Sequence, residues 1–252
     1  MRFLVSGASG FVGRALCSSL LAQSHAVRAA GRSENLMPSA AGLDIAAVGE
    51  VDAQTDWSAA LAGVDCVTHC AARAHVMHEA ESDALAAYRA VNVAGTQRLA
   101  EQAVALGVRR LVFLSSIKVN GEQTVLGAPF SVSDASAPED PYGVSKLEAE
   151  QALWAVSAQT GLEVVVVRPP LVYGPGVKGN LLRLLRWVAR GVPLPLGAVH
   201  NQRSLVGLSN LVDLLLRWVE HPAAAGQTFL ASDGQDLSTP QLIRLMAEGM
   251  NR

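Results

Sequence analysis

Tyr142 and Lys146 stand four residues apart in PYGVSK, and on a helix that spacing puts both on one face. A free phenol titrates near 10, too high for a base at neutral pH. An ammonium held beside it favours the phenolate and draws its pKa toward the working range. The pair could therefore carry a proton. An ordinary surface pair has the same spacing, so the chemistry needs further groups. Ser116 offers one, because it follows the apolar run Arg109–Ser115 (RRLVFLS). A parallel strand would deliver its hydroxyl to the sheet edge where ligands gather.

A second centre opens the chain. In RFLVSGASGFVG the apolar Phe3, Leu4 and Val5 break into Gly7, Gly10 and Gly13, then continue into the amphipathic stretch Phe11–Ala22. That order reads as strand, tight turn and helix. Glycine permits positive φ and removes the Cβ that would block a close ligand. The helix start offers unpaired N–H groups to an anion, for which a dinucleotide pyrophosphate is the usual occupant. The spacing is GxxGxxG, not GxGxxG. After a second strand, His25–Ala30, comes Gly31-Arg32-Ser33, with Arg28 close by. An acidic residue here would bind ribose hydroxyls, whereas arginine suits a 2′-phosphate, so NADP is expected over NAD. His69, Cys70, His75 and His78 lack the spacing of metal ligands, and no metal is expected.

Alternating strands and helices must position these groups. A third strand is expected at Ala46–Val51, a short helix at Asp56–Leu61, and a β-type run at Val64–Cys70 (VDCVTHC). The small Ala71 and Ala72 follow it. Apolar positions at helical spacing predict a long helix over Asp83–Gly107, inside which Asn92 needs specific bonds for its amide. Asp140 and Pro141 read as the cap and first residue of a helix reaching Thr160. Glu163–Arg168 (EVVVVR) is a sixth strand closed by Pro169 and Pro170. The composition then changes. A turn at Val172–Gly176 precedes an amphipathic helix, Asn180–Gly191, with Arg183, Arg186 and Arg190. A short strand (Gln202–Val206), a helix capped by Ser209 (Ser209–His221), a strand (Thr228–Ala231) and a helix (Ser238–Gly249) follow. Two regions are expected, 1–170 and a smaller 171–252 interleaved with the sheet. At 252 residues, 50% apolar and 17% charged, the chain suits a packed globular enzyme. Its net charge of −2 suggests no nucleic-acid partner. No apolar run approaches the roughly 18 residues that span a bilayer, so no membrane is expected. The opening enters a strand without a leader, and three cysteines in apolar surroundings suggest reduced thiols in a cytoplasm.

Taken together, GASGFVG (7–13), HCAA (69–72), VN (91–92), FLSS (113–116), YGVSK (142–146), RPPLVYGPG (168–176) and NQRSLV (201–206) resemble the extended short-chain dehydrogenase/reductase family, in its nucleotide-sugar epimerase/dehydratase branch. The resemblance covers nearly the whole chain. It implies a Rossmann-type doubly wound α/β sheet with a small, truncated substrate region, since relatives continue past the last helix. It also implies roles. Tyr142 would be the acid/base, Lys146 its partner and a holder of the nicotinamide ribose, and Ser116 a donor to the sugar oxygen. The cofactor would lie along Gly7, Ser9, Gly10, Phe11, Val12, Gly13, Arg32, Glu50, Val51, Cys70, Ala71, Ala72, Asn92 and Pro169, besides Tyr142 and Lys146. Asn180, Leu181 and Arg203 would hold the nucleotide diphosphate, and Lys118 either reaches substrate or faces solvent. Where the family has a tyrosine after the active serine, this chain has Asn120. Ile117-Lys118 in place of Asp-Glu argues against a dehydratase. The implied reaction is hydride transfer at C4 of a UDP-hexose or UDP-N-acetylhexosamine, by a 4-epimerase or a 4-ketosugar reductase, of which Arg32 favours the second. A reductase of small carbonyls and a non-catalytic cofactor-sensing regulator are the alternatives. A homodimer through the helices at about 84–106 and 141–160 is implied as well.

Overall fold

The computed structural model describes residues 1–74, 83–125 and 127–251. Its centre is a seven-stranded parallel sheet built from short β-branched and apolar runs. In chain order the elements are β1 (Arg2–Ser6), α1 (Phe11–Ala22), β2 (Ala26–Gly31), β3 (Leu43–Ala47), α2 (Ser58–Leu61), β4 (Cys66–His69), α3 (Ala84–Arg89), α4 (Gly95–Ala105) and β5 (Arg110–Leu114). Then come α5 (Pro141–Thr160), β6 (Glu163–Arg168), β7 (Leu171–Tyr173), α6 (Gly179–Ala189), β8 (Leu205–Gly207), α7 (Leu208–Glu220), β9 (Gln227–Leu230) and α8 (Thr239–Gly249). The sheet runs β3-β2-β1-β4-β5-β6-β9, while β7 and β8 form a small parallel pair. Strand order reverses between β1 and β4, which opens a crevice at their carboxyl ends.

Both faces of the sheet are covered, which explains the unbroken apolar strands. Val164 to Val167 of β6 are all 0% exposed. On one face α1 and α7 bring Leu16, Leu20, Leu211 and Leu215 against Val5 and Val112. On the other, α4 and α5 bring Leu99, Ala103, Ala149 and Leu153 against Leu4 and Leu111, with Trp57 between. Each leucine and valine among them contributes about 1.5–3 kcal/mol by leaving water.

Several boundaries depart from the sequence expectation. β3 lies at 43–47 instead of 46–51, because Leu43 registers with Val27 and the chain turns at Gly49, whose φ is +71°. The long helix is interrupted by a π turn over Ala90–Ala94, centred on Asn92. Residues 171–173 are a strand, not part of a turn, since they pair with Leu205–Gly207. Helix α7 starts after Gly207, whose N–H donates to the Asp233 carboxylate, so Ser209 is not its cap. Finally β9 docks on β6, which threads the later region back into the main sheet.

Candidate active site

The glycine turn is built for close approach. Gly7 has φ +68°, and a Cβ there would sit 2.7 Å from the Ala71 amide nitrogen. A Cβ on Gly13 would meet the Gly7 carbonyl at 2.4 Å. Both glycines are thus required by backbone packing between β1, α1 and the end of β4. Gly10 differs, because a Cβ on it would meet only the Gly7 oxygen, at 3.0 Å. It is the N-cap of α1 and brings no side-chain cap, which leaves the first N–H groups of the helix for another acceptor. Ser9 and Gly10 are exposed, Phe11 is half-buried, and Val12 and Gly13 are buried. The cradle fits an anionic dinucleotide. Gly176 brings the loop after β7 to within 4.0 Å of Phe11 by the same measure.

Beside the cradle, Arg32 is exposed and lies 3.5 Å from Glu50. Arg28 is occupied elsewhere, donating to the carbonyls of Ala59, Ala60 and Ala62 at 2.9–3.1 Å. Val51 is buried and packs against Gly95. His69 is buried between Ser6 Oγ (2.5 Å) and Thr96 Oγ1 (2.9 Å), and it stacks on Phe113. Burial, with Lys146 adding to it, holds its pKa down at about 3, so it stays neutral. Cys70, Ala71 and Ala72 are half-buried at the strand end, and burial pushes the Cys70 thiol up to about 12. No cluster of metal-ligating side chains occurs among the described residues; His75 and His78 lie outside them. Asn92 accepts from Arg73 N–H (2.8 Å), and its amide donates to Arg73 O (3.1 Å) and Ser145 Oγ (2.9 Å). It therefore clasps the segment after β4 to α5.

The proton-handling face is set by α5. Asp140 caps it by accepting from Gly143 N–H at 2.6 Å, and Pro141 is its first residue. Gly143 has no room for a Cβ, which would sit 2.9 Å from Lys118 O. The turn carrying Ser116 and the turn carrying Tyr142 thus abut. Ser116 Oγ accepts from Lys118 N–H at 3.3 Å, and Ile117 N–H donates to Pro169 O at 3.0 Å. Lys146 is buried, with Nζ donating to Leu114 O (2.8 Å), 4.4 Å from the Phe113 ring centre and 5.9 Å from that of Tyr142. Burial lowers its pKa to about 8, against the opposing pull of Cys70 and Glu150. The Tyr142 phenol is not lowered. Burial first, then Asp140 and Tyr88, push it above its ordinary value. The sequence expectation missed this because desolvation outweighs an ammonium that is itself turned to a backbone carbonyl.

Lys118 neither reaches out nor faces solvent freely. Its ammonium is paired with Asp140 and Glu122, whose hydrogen bonds raise its pKa against the opposing burial. In the later region Leu181 is buried, Asn180 accepts from Arg183 at 2.8 Å, and exposed Arg203 forms a backbone bridge with Leu237.

Sequence reasoning missed a buried network behind this face. Glu150, one turn beyond Lys146, takes a bidentate pair from Arg168 (3.0 and 2.6 Å) and a hydrogen bond from Ser115 (2.5 Å). Arg168 also donates to Asn120 at 2.9 Å. The available signal was a carboxylate on the inner face of α5, four residues after Lys146. Asp233 was missed too. It gathers Tyr173 OH, Asn210 and Gly207 N–H, and these bonds hold its carboxyl below the usual range despite some burial.

The sequence profile of the NAD dependent epimerase/dehydratase family matches residues 3–231. A UDP-glucose 4-epimerase of Vibrio cholerae is 48% identical over 99% of this chain and 76% of its own length. An N-acetyl-alpha-D-glucosaminyl-diphospho-ditrans,octacis-undecaprenol 4-epimerase of Escherichia coli O157:H7 is 29% identical over 99% of this chain and 72% of its own. Among solved structures, MoeE5 in complex with UDP-glucose and NAD superposes with a TM-score of 0.85 at 29% identity, covering all of this chain and 82% of its own.

Proposed function

We infer the function from one premise: the chain belongs to the NAD dependent epimerase/dehydratase family. We propose that it is a 4-epimerase of a UDP-hexose or UDP-N-acetylhexosamine. The single observation that carries this reading is α5, which holds a half-buried Tyr142 and a buried Lys146 on the same face, 5.9 Å from ring centre to ammonium. Nearly half of the residues shared with a UDP-glucose 4-epimerase support the substrate class.

Each residue has a stated task in this reading. Tyr142 takes the C4 hydroxyl proton while the sugar is oxidised and returns it to the C4 oxygen when the turned ketosugar is reduced on its other face. Burial keeps the phenol protonated at rest, so a nearby cation must offset that cost, and Lys146 supplies it. Ser116 donates a hydrogen bond to the sugar oxygen. Asn180, Leu181 and Arg203 hold the diphosphate, with Arg203 free to pair with a phosphate. The first N–H groups of α1 and the glycine cradle hold the cofactor pyrophosphate. When bound, the nicotinamide would take a hydride from C4 and give it back. We read the cofactor as NAD, on the strength of MoeE5 and of Arg32 lying against Glu50, which offsets the charge that favoured NADP. Free cysteines support a cytoplasmic enzyme, and the groove between α4 and α5, lined by Ala152 and Ala155, supports a homodimer.

The test is turnover of UDP-glucose and UDP-N-acetylglucosamine with NAD or NADP in trace amount. An epimerase cycles with catalytic cofactor, whereas a 4-ketosugar reductase consumes one equivalent per product. Tyr142→Phe is expected to lose about 10²–10⁴-fold in turnover while still binding cofactor. Undiminished turnover in that variant, or no turnover of any UDP-sugar by the parent, overturns the reading.

A further inference from the structure

We propose that the solvent face of α6 is a docking surface for an anionic lipid bilayer. Between residues 164 and 212 the sequence holds six lysines and arginines and no acidic residue, in a chain whose net charge is −2. Arg168 is spent on Glu150 inside the protein. Arg203 is the cation read above as pairing with the diphosphate; the other four, Lys178, Arg183, Arg186 and Arg190, are exposed, and none is in an ion pair among the described residues.

Helix geometry sorts these charges. At about 100° per residue, Arg183, Arg186, Trp187 and Arg190 fall within an arc of about 100°. Leu181 and Val188 face the opposite way and are 6% exposed each. Trp187 is 41% exposed with the Arg183 guanidinium 5.7 Å from its ring, and Val192, just past the helix, is 42% exposed. With its apolar face kept on the protein, α6 offers an anionic bilayer a cluster of arginines for the headgroup charge and an indole suited to the membrane–water interface. Apolar Val192 and the exposed Pro193 and Pro195 gain from the acyl boundary, and the chain's net charge of −2 disfavours a polyanionic nucleic acid, which favours lipid. No helix among the described residues is long and apolar enough to cross a membrane, so the contact is peripheral. The proposal stands independently of the reading of the active site.

The experiment is flotation of the full chain with phosphatidylcholine vesicles, with and without phosphatidylglycerol, at low and high salt. The protein is expected to float only with phosphatidylglycerol and to be released by salt. Arg186→Gln/Arg190→Gln is expected to lower the partition coefficient roughly thirtyfold, from two surface charges removed, with an unchanged thermal midpoint. Trp187→Ala is expected to weaken binding at low salt without altering its salt dependence. Failure to float, equal binding to neutral vesicles, parental binding by the double arginine variant, or capture of an oligonucleotide in preference to vesicles at the same salt would each overturn the proposal.

Discussion

Burial decides the protonation state of the residues at the site, and two predictions follow from it. Lys146 titrates at about 8 because it is desolvated. Its charge is what makes a phenolate at Tyr142 tolerable, so turnover should decline as pH rises through about 8. In Lys146→Arg the cation stays charged across that range, and the alkaline limb should disappear even where the maximum rate is lower. A pH profile of initial rates on both proteins reads this directly. His69 is the second case. Its folded pKa of about 3 lies below the 6.5 of the unfolded chain, so between those values only the unfolded chain takes up the proton. Stability from neutral His69 is therefore full above pH 6.5 and is lost as pH falls toward 3, by up to about 1.4 kcal/mol per pH unit. Denaturant titrations should show the advantage of the parent over His69→Gln shrinking steadily across that window; a gap independent of pH would refute the assignment.

The elements meet at Glu150, where α5, β6 and the turn after β5 are joined through one carboxylate. Breaking a buried pair from one side strands a charge, so Glu150→Gln should cost about 3–5 kcal/mol, whereas Glu150→Gln/Arg168→Met should recover part of that loss. A double-mutant cycle in urea checks it, and additive losses would mean that the two residues act separately. This network also marks the limit of what the chain reveals unfolded. The glycine cradle, the Asp140 cap, the start of α5 and the extent of β6 were all legible, because each is fixed by local rules of turn, cap and periodicity. Asn92 announced itself as an amide that had to be bonded. Glu150 and Asp233 did not, since their partners lie 18 and 26 residues away across different elements. The state of Tyr142 was misread for a related reason: spacing places a lysine near a phenol but carries no measure of how much water the fold removes from both.

At the scale of the whole molecule, the region after residue 170 is stitched into the first rather than hung from it. β9 pairs with β6 along Gln227–Leu230, and α7 lies on α1 with Leu211 and Leu215 in the same core as Leu16 and Leu20. Arg110 closes the seam, donating from β5 to the carbonyls of Trp218, Val219 and His221 at 2.8–2.9 Å while paired with Glu163. Removing residues 171–252 would take α7 from beside α1 on one face of the sheet and leave the buried Arg110 without the three carbonyls it donates to. One cooperative unfolding transition is therefore expected, without a stage in which the first region survives alone. Two tryptophans report it from opposite faces: Trp57, fully buried against Leu61 and Leu99, and Trp218, stacked on Phe229 of β9 at 4.6 Å. Variants keeping fluorescence from only one of them should melt at the same urea midpoint as each other and as the far-ultraviolet dichroism. A lower midpoint at Trp218 than at Trp57 would show that the later region is a separate unit, and the shared core would then be carrying far less of the stability than its packing implies.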